Sequence, residues 1–225
     1  MEQQDVVESF AEQSHPDVLE KFDRASLGDL VEKNETPFMV LDLSEIDYQY
    51  KSLQAALPGV KIFYALKSLS HPELLKRLKS LGSYFDLATI GEIDLVESLG
   101  IKGSHCLHSH PIKKDKEIKR ALEFGCNRMV VDNIEEMRKF IPYAGQAELI
   151  IRVGFRSKQA VVDLSRKFGC ALEELPILLN LAKDYGIEVV GLSFHVGSQS
   201  LSSMTQASAI RSSIAAMKLM NGVNW

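Results

Sequence analysis

The chain has 225 residues, of which 45% are hydrophobic and 25% charged, and its formal net charge is −4. This composition supplies enough apolar material for the core of a globular α/β protein. The slightly acidic balance argues against nucleic acid as a partner, and the polar, charged start of the chain argues against a signal peptide or membrane anchor, so we expect a cytoplasmic protein with no membrane partner.

Two kinds of segment divide the sequence. Residues 1–35 are predicted to form a helical amino-terminal extension, because no strand pattern appears before Thr36. In residues 36–225, short β-branched or aromatic runs alternate with stretches of helical length, which is typical of βα units. The predicted strands are Phe38–Leu43, Lys61–Leu66, Tyr84–Ala88, His105–Ser109, Arg128–Asp132, Glu148–Val153 and Val189–Val196.

The segments between these strands carry helix signals. Ser44 is predicted to open one helix, and Ser70 to cap the next, which Gly82 would close. The weakly periodic stretch 154–169 is predicted to be a long loop. One further helix is predicted at about Ser202 to Leu219, near the end of the chain.

The spacing of the elements and the sequence motifs leave more than one fold class possible. The βα units recur roughly every twenty residues, which fits a (β/α) barrel and a doubly wound sheet equally well. No glycine-rich nucleotide loop is present in the sequence. The three cysteines form no CxxC pair, so neither a disulfide framework nor a metal site is expected.

Four ionisable residues follow or end predicted strands. They are Lys67, Asp86, Arg152 and His195. Since the carboxyl ends of parallel strands meet at one edge of the sheet, these side chains are expected to converge there. A lysine at such an edge can act as a nucleophile when burial or neighbouring cations lower its pKa. Each of the four could instead be an ordinary structural residue.

Several sequence blocks resemble one enzyme family. The segment Tyr64–Leu75, followed by Phe85–Ala88 and Gly91–Glu92, resembles the pyridoxal-phosphate attachment region of the ornithine/diaminopimelate/arginine decarboxylase family. Leu164–Gly169 and Ser193–Ser198 resemble two further blocks of that family, in the same order. The resemblance extends from about residue 36 to about residue 200 and is strongest to ornithine decarboxylase.

The resemblance implies a fold, a cofactor and a reaction. The fold would be α/β, an incomplete (β/α)8 TIM-like barrel of the alanine racemase type that binds pyridoxal 5'-phosphate. The reaction would be decarboxylation of L-ornithine to putrescine, a polyamine precursor, with lysine as a possible second substrate. Full-length members would form homodimers.

The same resemblance implies roles for six residues. Lys67 would hold the cofactor covalently and His195 would stack on its ring. Asp86, Glu92 and Arg152 would line the site, and Ser198 would contact the phosphate.

The family pattern also contains segments that this sequence does not. They are the last two barrel strands, a glycine-rich phosphate loop, the acid that pairs with the pyridine nitrogen, and a carboxy-terminal β domain. We therefore expect a carboxy-terminally truncated relative with poor activity on its own. Two alternatives remain open. One is a non-catalytic homologue that binds a full-length decarboxylase or its regulator, and the other is a single-barrel pyridoxal-phosphate carrier protein.

Overall fold

The computed structural model describes residues 24–155, 160–162, 167–200 and 202–219. The chain divides into two compact units, residues 1–42 and residues 43–225. In the first unit, helix α1 spans Arg24–Lys33. It falls within the predicted helical extension 1–35, of which residues 1–23 lie outside the described residues. The division of the chain at residue 35 therefore stays a prediction.

The predicted strand Phe38–Leu43 is wrong. Residues 37–42 form no strand, and helix α2 already begins at Leu43. A β-strand needs a neighbour for its backbone hydrogen bonds, and no described strand pairs with this segment. Its apolar, β-branched composition satisfies only the local condition for a strand.

The other six predicted strands are confirmed, with ends that shift by a few residues at most. They form one sheet whose members are β1 (Phe63–Ala65), β2 (Tyr84–Leu87), β3 (Cys106–His108), β4 (Arg128–Val131), β5 (Glu148–Val153) and β7 (Glu188–Phe194). Every pair of neighbours in this sheet is parallel. The strands lie side by side in chain order, as in a barrel, whereas a doubly wound sheet reverses its order at a switch point.

Helices connect the strands. They are α2 (Leu43–Ala56), α3 (Pro72–Ser80), α4 (Ile90–Ser98), α5 (Asp115–Phe124), α6 (Ile134–Arg138), α7 (Leu175–Asp184) and α8 (Ser203–Leu219), with short 3-10 turns at Gly103–His105, Ile141–Tyr143 and Leu172–Glu174. The predicted last helix is confirmed, and it packs on β7. None of the helices among the described residues has the length and apolar character needed to cross a membrane.

Of the two predicted ends of helix α3, the structure confirms one. The predicted cap at Ser70 is wrong, because the Nδ1 atom of His71 accepts the hydrogen bond from the Glu73 amide. The predicted stop at Gly82 is confirmed. Its φ of 85° is left-handed, and the Ser83 N–H donates to the Leu78 carbonyl oxygen at 3.0 Å, which closes the helix in a Schellman motif. The predicted cap at Ser44 is wrong, because α2 begins at Leu43 and Ser44 already lies inside its first turn.

The stretch 154–169 is only partly the loop that was predicted. Residues Ala160–Val162 form strand β6, which pairs antiparallel with β8 (Ser198–Ser200) in a separate two-stranded sheet. The two strands lie almost forty positions apart in the sequence. Their pairing is therefore not visible in the local composition of either strand. Residues 156–159 and 163–166 lie outside the described residues.

Alternate residues of the main sheet face two different environments. On β5, Leu149, Ile151 and Val153 are at most 1% exposed, while Ile150 and Arg152 are only half-buried. The buried set packs on the side covered by helices. The half-buried set lines a cavity on the other side. The sheet thus has one face that forms the core and one that remains accessible.

Candidate active site

A cavity of about 280 Å³ lies on the accessible face, near the carboxyl ends of the strands. Six of its lining residues are apolar, namely Phe63, Leu107, Val130, Ile150, Leu192 and Phe194. The others are polar or charged, namely Lys67, Asp86, Ser109, Arg152, Ser193 and His195. The cavity therefore brings together all four ionisable residues that the sequence placed at strand ends.

Lys67 lies in the turn that follows β1. Ser68 N–H donates to the Ala65 carbonyl oxygen at 3.2 Å, and the Ser68 hydroxyl donates to the same oxygen at 2.8 Å. Leu66 before it is 1% exposed and its N–H bonds the Asp86 carbonyl oxygen at 3.1 Å. The backbone on both sides of Lys67 is thus held, while its side chain is exposed beside the cavity.

Asp86 carries its carboxylate on the cavity side of β2. Burial raises its pKa above the ordinary value, while hydrogen bonding by Ser109 and the positive charge of Lys67 act in the opposite direction. Its Oδ1 atom is buried and has no hydrogen-bond partner among the described residues. A buried acceptor without a partner is costly, so this oxygen is available to a bound group.

Arg152 and His195 line the same cavity from neighbouring positions, Arg152 on β5 and His195 directly after β7. The Gly197 N–H donates to His195 Nδ1 at 2.9 Å, so in the neutral ring the proton is on Nε2. Burial lowers the pKa of His195, and the positive charges of Arg152 and Lys67 lower it further. Burial also lowers the pKa of Arg152, whereas Asp132 and Asp86 raise it. Burial and the two positive charges thus favour the neutral form of the imidazole.

Two of the expected site residues are not part of the cavity lining. Glu92 closes the capping box of α4, where its Oε2 accepts from the Ala88 N–H at 2.6 Å and from the Thr89 N–H at 3.0 Å. Ser198 is exposed on β8, opposite Val162. Any part that these two play in binding a ligand stays a prediction.

Ser193 and Ser109 line the cavity but were not identified from the sequence. Ser193 Oγ is buried and, like Asp86 Oδ1, has no hydrogen-bond partner among the described residues. Ser109 follows β3, and its N–H bonds the Leu87 carbonyl oxygen at 2.9 Å. The available signal was its place at a strand end, the same signal that identified Asp86. Ser193 lies within β7 and not at its end, so no such signal marks it in the sequence.

A comparison with known families shows the family to which the chain belongs. The model of the family described as "Pyridoxal-dependent decarboxylase, pyridoxal binding domain" matches residues 43–224. The chain belongs to this family. The match begins where α2 begins and includes every strand of the six-stranded sheet.

Individual relatives agree with the family match. The lysine/ornithine decarboxylase of Selenomonas ruminantium is 36% identical over 181 residues, which are 80% of this chain and 46% of that protein. Antizyme inhibitor 2 of Xenopus laevis is 35% identical over 173 residues, which are 77% of this chain and 38% of that protein. The chain thus spans less than half the length of these relatives.

Solved structures confirm the fold. The lysine/ornithine decarboxylase of Vibrio vulnificus, crystallised with putrescine, superposes with a TM-score of 0.81 at 40% identity. The superposition covers 88% of this chain and 53% of that one. The six-stranded parallel sheet therefore corresponds to part of the barrel seen in pyridoxal-phosphate decarboxylases, as expected from the sequence.

The residues of the cavity fit pyridoxal phosphate, the cofactor of this family. A lysine amine, a guanidinium and an imidazole surround the space, which suits a ligand with an aldehyde, a phosphate and a flat ring. The two buried oxygens without partners, on Asp86 and Ser193, can bond to the polar groups of that ligand. No cluster of His, Cys, Asp and Glu in the described part of the chain is arranged to hold a metal ion.

Proposed function

We propose that this chain is the cofactor-binding part of a decarboxylase that acts on L-ornithine, with L-lysine as a second substrate. One observation carries the proposal. A single cavity brings a lysine amine, a guanidinium, an imidazole and a buried carboxylate together at the carboxyl ends of four strands. Membership in the pyridoxal-dependent decarboxylase family supports the same reading.

Each cavity residue has a task that its surroundings suit. Lys67 would hold pyridoxal phosphate covalently through its amine, and the neutral ring of His195 would pack against the cofactor. Arg152 balances the negative charge of the ligand. When bound, the cofactor supplies an electron sink for the charge left on the substrate as carbon dioxide departs.

Three oxygen-bearing side chains complete the proposed site. Asp86 Oδ1, buried without a partner, accepts a hydrogen bond from a donor of the bound group or from the Lys67 ammonium. The Ser198 hydroxyl contacts the cofactor phosphate. Glu92 shapes the edge of the site through its bonds to the Ala88 and Thr89 amides, which fix the backbone just after Asp86.

The substrate and the assembly rest on likeness to relatives. The block Leu164–Gly169 is similar to ornithine decarboxylases, and the proteins named above from Selenomonas and Vibrio are lysine/ornithine decarboxylases. We therefore favour a basic amino acid with a distal amine as substrate, and putrescine as the product from ornithine. A cytoplasmic homodimer is the assembly that the family resemblance implies.

Cofactor titration combined with carbon dioxide release tests the proposal. The purified chain is expected to bind pyridoxal phosphate, to lose at least about tenfold in affinity on Lys67→Ala, and to be unaffected by the exposed-lysine control Lys183→Ala. Slow, Lys67-dependent release of carboxyl-labelled carbon dioxide is expected from L-ornithine, and less from L-lysine. Equal cofactor affinity in the two lysine variants would contradict the proposal.

A second candidate is a non-catalytic protein that binds a decarboxylase or its regulator. It is favoured by the 35% identity to a protein named antizyme inhibitor 2. The same assay separates the two candidates. Carbon dioxide release that does not exceed the Lys67→Ala background with either amino acid would favour the non-catalytic role.

A further inference from the structure

A short return segment, Lys167–Cys170, lies against the end of β5. The Cys170 N–H donates to the Arg152 carbonyl oxygen at 3.0 Å, and the Gly154 N–H donates to the Cys170 carbonyl oxygen at 2.9 Å. The contact is so close that a Cβ on Gly169 would lie 2.6 Å from the Gly154 nitrogen. Gly169 also has a φ of 94°, which only glycine adopts easily. The backbone of the segment is therefore tightly placed.

Asp132, at the end of β4, anchors the same segment from the other side. Its Oδ2 accepts from the Gly169 N–H at 2.9 Å, and its Oδ1 accepts from Asn133 Nδ2 at 2.9 Å. The side chain is 8% exposed, so both bonds are shielded from water. Two neighbouring strands, β4 and β5, thus fix the position of residues 168 to 170.

This backbone position determines where the Phe168 ring lies. The Arg152 guanidinium carbon is 5.1 Å from the ring centroid, within the range of a cation–π contact. The edge of the His110 ring packs 5.9 Å away, centroid to centroid, and the exposed Lys167 amine approaches the same ring at 5.0 Å. The ring of Phe168 therefore covers a guanidinium that also lines the cavity.

We propose that Phe168 is a positioning residue that holds the Arg152 guanidinium at the cavity wall, with Asp132 as the anchor of its segment. The role of Arg152 toward a bound anion rests on the proposed function, to which this proposal adds the residue that positions the guanidinium. Without the ring, a long arginine side chain gains the freedom to turn from the cavity toward water. The Arg152 guanidinium would then no longer lie near His195 or near the bound ligand.

The proposal can be tested without cofactor or substrate, because His195 reports on the position of Arg152. Among the residues that the structure describes, Arg152 and Lys67 are the positive charges that lower the pKa of His195. Proton NMR titration of the cofactor-free chain measures this pKa. Arg152→Met is expected to raise it by about 1 pH unit and Phe168→Leu by about 0.5, because a like charge leaves the ring.

Matched variants separate positioning from general damage. Phe168→Tyr keeps the aromatic face and should keep the His195 pKa of the unsubstituted chain. Phe124→Leu removes the ring from another arginine–phenylalanine pair, with Arg120 at 6.0 Å, and should change nothing at His195. If Phe168→Leu fails to fold, Phe168→Met supplies the ring-free variant with a longer, flexible apolar side chain.

The binding of pyridoxal phosphate gives a second readout. Phe168→Leu is expected to weaken binding about threefold and Phe124→Leu not at all. The proposal is overturned if Phe168→Leu leaves the His195 pKa unchanged, if Arg152→Met does so, or if Phe124→Leu shifts it equally. A chain that shows the titration shifts but binds no pyridoxal phosphate would refute the proposed function and leave the positioning role standing.

Discussion

The two faces of the parallel sheet differ in how charged and polar side chains are hydrogen-bonded. On the face covered by helices, Lys113 is 1% exposed, yet its ammonium donates to the carbonyl oxygens of His110 and Pro111 at 2.9 and 3.1 Å and also to that of Val130. On the cavity face, Asp86 Oδ1 and Ser193 Oγ have no hydrogen-bond partner among the described residues.

This difference indicates that one face of the sheet mainly stabilises the fold and the other mainly binds a ligand. Close apolar packing and the bonds of Lys113 stabilise the fold on the helix side, although His108 there has two ring nitrogens without a hydrogen-bond partner among the described residues. The cavity side keeps polar groups unsatisfied at some cost in stability, and a ligand can satisfy them. Substitutions on the two faces are therefore expected to differ in their effects on stability and on ligand binding.

The largest expected effect comes from two adjacent isoleucines on β5. Ile151 is fully buried on the helix side, while Ile150 is half-buried on the cavity side. Ile151→Ala should lower the free energy of unfolding by about 4 kcal/mol and Ile150→Ala by about 1.5 kcal/mol. Urea denaturation measures both values. Equal losses would show that the two faces contribute alike to the core.

His108 provides a pH-dependent test of the helix side. It is 1% exposed, both of its ring nitrogens lack a hydrogen-bond partner among the described residues, and burial lowers its pKa to about 4. The unfolded chain, with an ordinary pKa of about 6.5, then binds more protons than the folded chain between these values. Stability should therefore fall by up to about 3 kcal/mol as the pH drops from about 6.5 to about 4.

His108→Leu isolates this contribution from the other titrating groups. The free energy of unfolding of the variant should depend less steeply on pH than that of the unsubstituted chain in the same window, because the protonated imidazole is no longer formed on unfolding. Parallel pH profiles for the two proteins would show that His108 titrates normally and that its surroundings are wetter than the structure implies.

A smaller effect, of opposite sign, is expected on the cavity face. Burial raises the pKa of Asp86, so its charged form opposes folding at neutral pH. Asp86→Asn should stabilise the cofactor-free chain by about 1 kcal/mol while weakening the binding of pyridoxal phosphate. Thermal unfolding with and without cofactor measures both. Destabilisation of the cofactor-free chain would mean that Asp86 serves the fold.

Much of the fold could be predicted from local sequence, and the exceptions depend on distant pairing. Six strands were found because their β-branched runs are local features. Phe38–Leu43 has such a run but no partner strand, and the pairing of Ala160 with Ser200 joins positions far apart in the chain. Composition reports how well a segment suits a strand, and the existence of a neighbour is a property of the whole fold.

The candidate site shows the same limit at the level of side chains. Lys67, Asp86, Arg152 and His195 could be grouped because parallel strands bring their carboxyl ends together. The position of Phe168 could not be predicted, since it depends on the close backbone contact between the segments that contain Gly154 and Gly169.

The lysine to which pyridoxal phosphate attaches covalently decides whether the cavity face is the functional face of the sheet. The chain is incubated with the cofactor, reduced with borohydride to make the bond permanent, and mapped by peptide mass spectrometry. Lys113 is the lysine with which the labelling of Lys67 is best compared. Burial lowers its pKa to about 8, which favours a reactive amine, but it lies buried on the helix side. The label is expected on Lys67, and none is expected on Lys113. A label on Lys113, or one spread evenly over exposed lysines, would contradict this expectation.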